Sequence, residues 1–308
     1  MNTWNLTVLH YFQNLRTPAI ERFFLEISDY GTGVWILSIV ALMFWLAGPV
    51  RTYRLAFTLA IGDLLTGLVK NLCCIPRPWI LDPTLLPSPA AQYGAFGFSF
   101  PSGHTTNAAL LAFGLADAFS SRILWILATV WSLLMATSRM VLGVHTPTDV
   151  LAALFLALLL VLVARRLWPV LLQTPIRRGL AATALVLLAL ATWFGLHARP
   201  IPEGAFAFGQ DAYRSAFSII GLLIAAFVER RRIRFDPARL PPAYRLMGAI
   251  FGLIGLILML GNLRRLLAPF FGSEIASYLL AAANSLWICT LCPLLLKPFQ
   301  SANNTAKT

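Results

Sequence analysis

The sequence predicts an all-α fold: a polytopic membrane helical bundle of about nine transmembrane helices, preceded by an N-terminal helix lying at the membrane interface. Three observations carry this. Hydrophobic residues make up 58% of the 308 and charged residues 12%, whereas a soluble domain usually carries about 25% charged residues. Mean hydropathy is +0.75. A window of about 19 residues resolves the apolar content into discrete segments separated by short polar stretches.

Residues 1–32 form an interfacial segment. In "RTPAIERFFLEI", Thr17 is placed to cap a helix with Pro18 as its first residue, and Ile20, Phe23, Phe24 and Ile27 recur at i, i+3, i+4, i+7. One apolar face opposite a polar one suits a helix lying on a membrane. Five apolar segments follow near 33–48, 54–72, 104–119, 123–142 and 148–164, within a core taken as residues 33–170. Four more, near 179–197, 214–229, 244–263 and 273–296, make up a C-terminal region, residues 171–308. Several of these segments are only 16 residues long, short of the roughly 17 to 25 usual for a span.

Orientation follows from the loops. With residues 49–53 on the cytoplasmic side, that side holds 15 Lys and Arg residues, including the arginines from Arg230 to Arg245, Lys297 and Lys307. The opposite side holds 6, from Arg16 to Arg265. Basic residues flanking spans favour the cytoplasm, so the N-terminus is expected outside and the C-terminus inside. The same pattern accounts for the net charge of +12 without nucleic acid, since no basic stretch is interleaved with exposed aromatics. Cys73, Cys74, Cys289 and Cys292 lie in or beside apolar segments, and no second Cys or His pair completes a zinc site. No metal site and no cofactor is expected.

Polar residues then gather at one depth. Lys70 ends the second span and Arg77 follows it in "KNLCCIPRP"; Pro101, Ser102, Gly103 and His104 open the third. Ser138 and Arg139 close the fourth, and His145 and Asp149 open the fifth in "SRMVLGVHTPTD". On this topology all of them lie at the outer face. Three cations, two histidines and one carboxylate are what a phosphate monoester requires: cations for the non-bridging oxygens, a nucleophile, and an acid for the leaving oxygen. Gly103 lets backbone approach an anion, Ser102 is placed to donate or to cap, and the first N–H groups of the third span bring the positive end of a helix dipole. In "HTPTD", Thr146 suits an N-cap and Pro147 a first helical residue, with Asp149 placed to hold one imidazole nitrogen of His145.

Taken singly, each residue has a plainer reading. Lys70 snorkels to the interface, Arg77 is a positive flank, Asp149 caps a helix, and either histidine is structural. These readings would have to coincide at matching span ends. His10 and His197 have no such company and are read as interfacial or structural.

The sequence here resembles the type 2 phosphatidic acid phosphatases, or lipid phosphate phosphatases. Their signature K-x6-RP, PSGH and SR-x5-H-x3-D is matched by Lys70, Arg77 and Pro78; by Pro101 to His104; and by Ser138, Arg139, His145 and Asp149. The resemblance covers residues 17–164 and not the four C-terminal segments; the family's frequent first transmembrane helix is replaced by the interfacial segment. It implies a metal-independent enzyme in which His145 attacks phosphorus, Asp149 orients it, and His104 protonates the leaving group and then activates water. Lys70, Arg77, Ser102, Gly103 and Arg139 would bind the phosphoryl oxygens.

The expected substrate is a membrane lipid phosphate monoester or a polyprenyl diphosphate. The alternatives are a lipid phosphotransferase, or a protein that binds or translocates a lipid headgroup with the same site. Arginine outnumbers lysine 21 to 3, which points to a bacterial genome and a cytoplasmic membrane with the site on its outer face. The segment from Trp79 to Phe100 reads either as a lid or as a rigid rim at headgroup level. The motif "ERRRIR" at 229–234 reads as a cytoplasmic stop.

Overall fold

A computed structural model of the chain describes residues 3–95, 97–200 and 208–300. Lys307, which entered the charge count, lies outside them. The described residues form helices α1 (Thr3–Leu15), α2 (Pro18–Asp29), α3 (Gly33–Ala47), α4 (Pro49–Cys73), α5 (Pro78–Leu81), α6 (Pro89–Tyr93) and α7 (Gly103–Ala118). They continue with α8 (Arg122–Val141), α9 (Pro147–Leu172), α10 (Pro175–His197), α11 (Gln210–Val228), α12 (Pro242–Phe271), α13 (Ser273–Leu286) and α14 (Cys292–Leu296).

The starts of these helices follow the local chemistry of the chain. Thr17 accepts from Ile20 N with Pro18 as the first residue of α2. Thr146 caps α9 ahead of Pro147, in a reciprocal box with Asp149.

Each of the nine apolar segments coincides with helix, but nine spans are not established. Among the described residues, seven stretches are long and apolar enough to cross a membrane: α4 running on through α5, α8, α9, α10, α11 with its terminal π turn, α12, and α13 with α14. An eighth is possible if α2 and α3, bent by 44° at their junction, count as one broken span. Helix α7 has only 16 residues, so length and composition leave it out although it lies within the bundle.

The packing divides at α4. One face of α4 joins α3, α7, α8 and α9 in a core that includes Leu55, Leu59, Leu110 and Val161. The other meets α10, α11 and α13 around Leu64, Ala189, Ile219 and Tyr278. Farther from Lys70, Phe44, Trp45 and Tyr53 pack with the ends of α11, α12 and α14.

Small residues allow the close crossings, as expected where lipid gives little hydrophobic incentive for helices to associate. A Cβ on Gly67 would stand 2.7 Å from Ala212 N, so α4 and α11 meet backbone to backbone there. At the end of α4 opposite Lys70, Asp117 is buried between Arg54 and Arg165. Glu229, in the same basic region, accepts from Tyr53 Oη at 3.2 Å and Phe235 N at 2.9 Å.

Candidate active site

Lys70 occupies the last turn of α4, which stops at Cys74 in the left-handed region (φ 50°). The chain then runs through Pro76 to Arg77, the N-cap of α5. Prolines at 76 and 78 exclude continuation of the helix, so Arg77 is turned back toward Lys70. A long loop containing α6 leads to the cis peptide Phe100–Pro101 and to Ser102, the N-cap of α7. Arg139 lies in the last turn of α8, and two residues after its end Gly143 (φ 73°) reverses the chain, so that Val144 N and His145 N both donate to Arg139 O at 3.1 and 3.3 Å. The two halves of the third motif are thereby clamped together.

These elements bring all eight candidate residues to one end of the bundle. Lys70, Arg77, Ser102, Arg139, His145 and Asp149 are buried. Gly103 and His104 are half-buried at the start of α7. Lys70 Nζ donates to Phe98 O at 3.0 Å. Arg77 donates through Nε to Gly97 O and through Nη1 to Val144 O, each at 3.0 Å. Arg139 Nη1 donates to Ser28 Oγ, and its Nε is buried without a hydrogen-bond partner. Among the described residues, neither Lys70 nor Arg139 has a carboxylate within ion-pair distance.

His145 sits between charges of opposite sign. Its Nε2 is 2.9 Å from Arg77 Nη1, and its Nδ1 is 3.5 Å from Asp149 Oδ2. At that distance the Asp149 contact is long for a hydrogen bond, because the same oxygen already accepts from Ser99 Oγ at 2.6 Å and Thr146 N at 2.7 Å. Asp149 thus both caps α9 and faces His145, combining the two sequence readings. Burial, with Arg77, Lys70 and Arg139 beside it, holds the His145 imidazole well below its ordinary pKa. The ring is therefore neutral at neutral pH, with a lone pair available on a nitrogen.

The Ser102 side chain makes no cap; Oγ pairs with Thr105 Oγ1 at 3.0 Å, while its backbone N–H donates to Asp149 O at 3.2 Å. Gly103 stands beside Lys70, where a Cβ would lie 4.0 Å from Lys70 Cε. His104 is within electrostatic reach of Arg139, His145, Lys70 and Arg77.

The loop from Trp79 to Phe100 has a role that neither sequence reading included. Its last residues fold inward as a wall whose carbonyls, at Gly97 and Phe98, hold two cations. The N-terminal helices steady its outer part: Arg16 donates to Leu86 O and, at 3.3 Å, to Val141 O, and Gln13 bonds Thr84 O and Leu86 N.

Sequence reasoning missed several residues. Ser99 and Ser28 are ordinary serines outside any recognisable spacing, and only folding brings them to Asp149 and Arg139. Asp63 was legible: an ionisable residue inside a span is a functional candidate in itself. It lies seven residues before Lys70 on α4, beside Asn107, three residues beyond His104 on α7.

Comparison with known proteins gives two family matches, PAP2 superfamily over residues 51–172 and PAP2 superfamily phosphatase, transmembrane extension, over residues 213–304. The chain is similar to a dihydrosphingosine 1-phosphate phosphatase of Schizosaccharomyces pombe, 26% identical over 44% of this chain and 35% of that one. It is similar to a phosphatidylglycerophosphatase B of Haemophilus influenzae, 44% identical over 21% of this chain and 30% of that one. An undecaprenyl-diphosphatase of Bacillus subtilis is 30% identical over 46% of this chain and 72% of that one. The chain spans well under half the length of the first two relatives.

The turn between Arg139 and His145 is the part of this arrangement most open to a single change. A Cβ at Gly143 would meet Pro87 Cα at 3.1 Å, and its φ of 73° disfavours any L side chain. Gly143→Ala is expected to cost about 1–2 kcal/mol, read as a lower Tm of the purified protein in detergent; an unchanged Tm would show that this turn tolerates a side chain.

Proposed function

Since the chain belongs to the PAP2 superfamily, we propose that this layer hydrolyses the phosphate monoester or diphosphate of a membrane lipid at the outer membrane face. The observation that carries this reading is the burial of Lys70, Arg77 and Arg139 together around His145, with Asp149 as the carboxylate among them. Buried charge without a counter-charge is costly, so such a cluster suits an anion with several oxygens. The relatives named as phosphatases of a sphingoid phosphate, a phosphatidylglycerophosphate and an undecaprenyl diphosphate support the same chemical class.

The mechanism follows from which atom faces which. Arg77 lies against His145 Nε2, so a phosphoryl group held by Arg77, Lys70 and Arg139 has its phosphorus in front of that nitrogen. Nε2 forms a bond to phosphorus as the bond to the leaving oxygen breaks. His104, protonated once the phosphate anion offsets the cations around it, gives that oxygen its proton and is left neutral. His104 then takes a proton from water, whose oxygen attacks phosphorus, and the N–P bond breaks to release phosphate. Asp149 stabilises the positive charge that develops on His145 during transfer.

The three cations neutralise the non-bridging oxygens, the part a divalent ion takes in other phosphoryl-transfer enzymes. Activity is therefore expected to survive excess chelator and to be inhibited by vanadate. Activity abolished by chelator and restored only by a divalent ion would exclude this mechanism.

The two histidines are expected to fail differently. His145→Ala should abolish turnover of every substrate, because no phosphoenzyme forms. His104→Ala should lose far more activity on a lipid phosphate monoester, with its poor alkoxide leaving group, than on p-nitrophenyl phosphate. Acid-labile, base-stable labelled phosphate on His145→Ala but not on His104→Ala would exchange the two roles.

Sidedness rests on the arginine distribution. In a Cys73→Ser, Cys74→Ser background, an impermeant thiol reagent should label Tyr93→Cys in intact cells and leave Gln173→Cys unlabelled; both positions are exposed. The reverse pattern would put the site on the cytoplasmic leaflet.

A further inference from the structure

Asn71 follows Lys70 in the last turn of α4 and is buried where the C-terminal helices meet the site. Its Nδ2 donates to Gly67 O at 2.6 Å, and its Oδ1 accepts the Gly209 N–H at 2.8 Å. Its main-chain carbonyl is among the last in α4, which lack intrahelical N–H partners. That oxygen accepts from Arg199 Nη1 and from the Cys74 thiol, each at 3.2 Å. Arg199 follows the end of α10 and Gly209 is the N-cap of α11, so the adjoining ends of these two helices tie down both the backbone and the side chain of Asn71.

The head of α11 reaches Lys70 by two further routes. Gly67, one turn before Asn71, packs directly on the backbone of Ala212 in the first turn of α11. Phe208 meets the ring of Phe98 edge-on, with centroids 6.4 Å apart, and the Phe98 carbonyl is the acceptor of the Lys70 ammonium. The start of the Lys70 side chain and its tip are therefore both braced by residues at the head of α11.

We propose that Asn71 is a positioning residue for Lys70, and that the C-terminal helices serve the phosphate site through it by fixing the depth and rotation at which α4 presents its last cation. This rests on the phosphatase reading above only for the role of Lys70 in binding a tetrahedral oxyanion. The physical requirement is strict, because the last turn of a helix frays readily. A displacement of about 1 Å at a positioned group can lower a rate by about 100-fold.

A double-mutant cycle on the full-length protein in detergent tests the inference, with orthovanadate as the probe and its dissociation constant measured by calorimetry beside kcat/KM on p-nitrophenyl phosphate. Asn71→Leu keeps the side chain's approximate size and removes its polar atoms. It is expected to weaken vanadate binding about 10-fold in the wild-type background and by less than about twofold alongside Lys70→Ala, since coupled sites are non-additive. Equal cost in both backgrounds, the mark of a merely structural role, overturns the proposal. Should Asn71→Leu fail to fold, Arg199→Ala, at an exposed residue, is expected to show the same non-additivity with a smaller loss, and additivity there overturns it equally. A wild-type protein that binds vanadate without turning over substrate removes the hydrolase reading, and non-additive binding then still supports the positioning role. A wild-type protein that binds no vanadate overturns both.

Discussion

Burying Lys70, Arg77 and Arg139 together is the constraint to which the surrounding chain responds. A charge taken out of water needs hydrogen-bonding partners that replace the lost hydration. Here those partners are chiefly neutral: the carbonyls of Gly97, Phe98 and Val144 and the hydroxyl of Ser28. Neutral acceptors orient the cations without cancelling their charge, so the positive field remains available to a ligand. The inward fold of residues 97–99 and the clamp of Val144 and His145 on Arg139 both serve this arrangement.

The interlocking of the motif stretches follows from it. Ser99, from the loop before α7, and Thr146, at the head of α9, donate to one oxygen of Asp149. The Asp149 carbonyl in turn accepts from Ser102 N, and Arg77 spans from Gly97 to His145. Three stretches of chain, at Arg77, at 97–102 and at 145–149, thus share one hydrogen-bonded unit, in which the orientation of His145 depends on several donors at once. Residues that act as a unit lose function together, so single substitutions across this network should not add.

The remaining helices read as supports for that unit. From one side, α1 and its connection to α2 hold the outer loop through Gln13 and Arg16, and Asn5 accepts from Thr148 Oγ1 at 3.0 Å in the first turn of α9. From the other, α10 and α11 grip the end of α4. The opposite end of the bundle carries a different polar layer, in which Asp117 and Glu229 each have basic or hydroxyl partners. There the buried carboxylates have partners, whereas the Lys70 layer buries three cations beside the one carboxylate of Asp149.

Much of this was legible along the chain because it depends on local spacing. Apolar runs located the long helices, although α9 and α12 run on well past the segments read for them; the Thr-Pro pairs at 17–18 and 146–147 fixed two helix starts; and motif spacing at span ends named the cations and histidines. Those features are set by neighbours in sequence, where periodicity and capping act. The tertiary structure decided what depends on distant segments. It chose which oxygen of Asp149 meets Ser99, gave Ser102 a backbone contact in place of a side-chain cap, and brought Ser28 to Arg139 across 111 positions of sequence. The C-terminal half carried no motif that tied it to the site. Its relation to Lys70 exists only where Gly67 allows two backbones to touch and Asn71 finds its partners 128 and 138 positions away, contacts that packing creates and local sequence pattern does not encode.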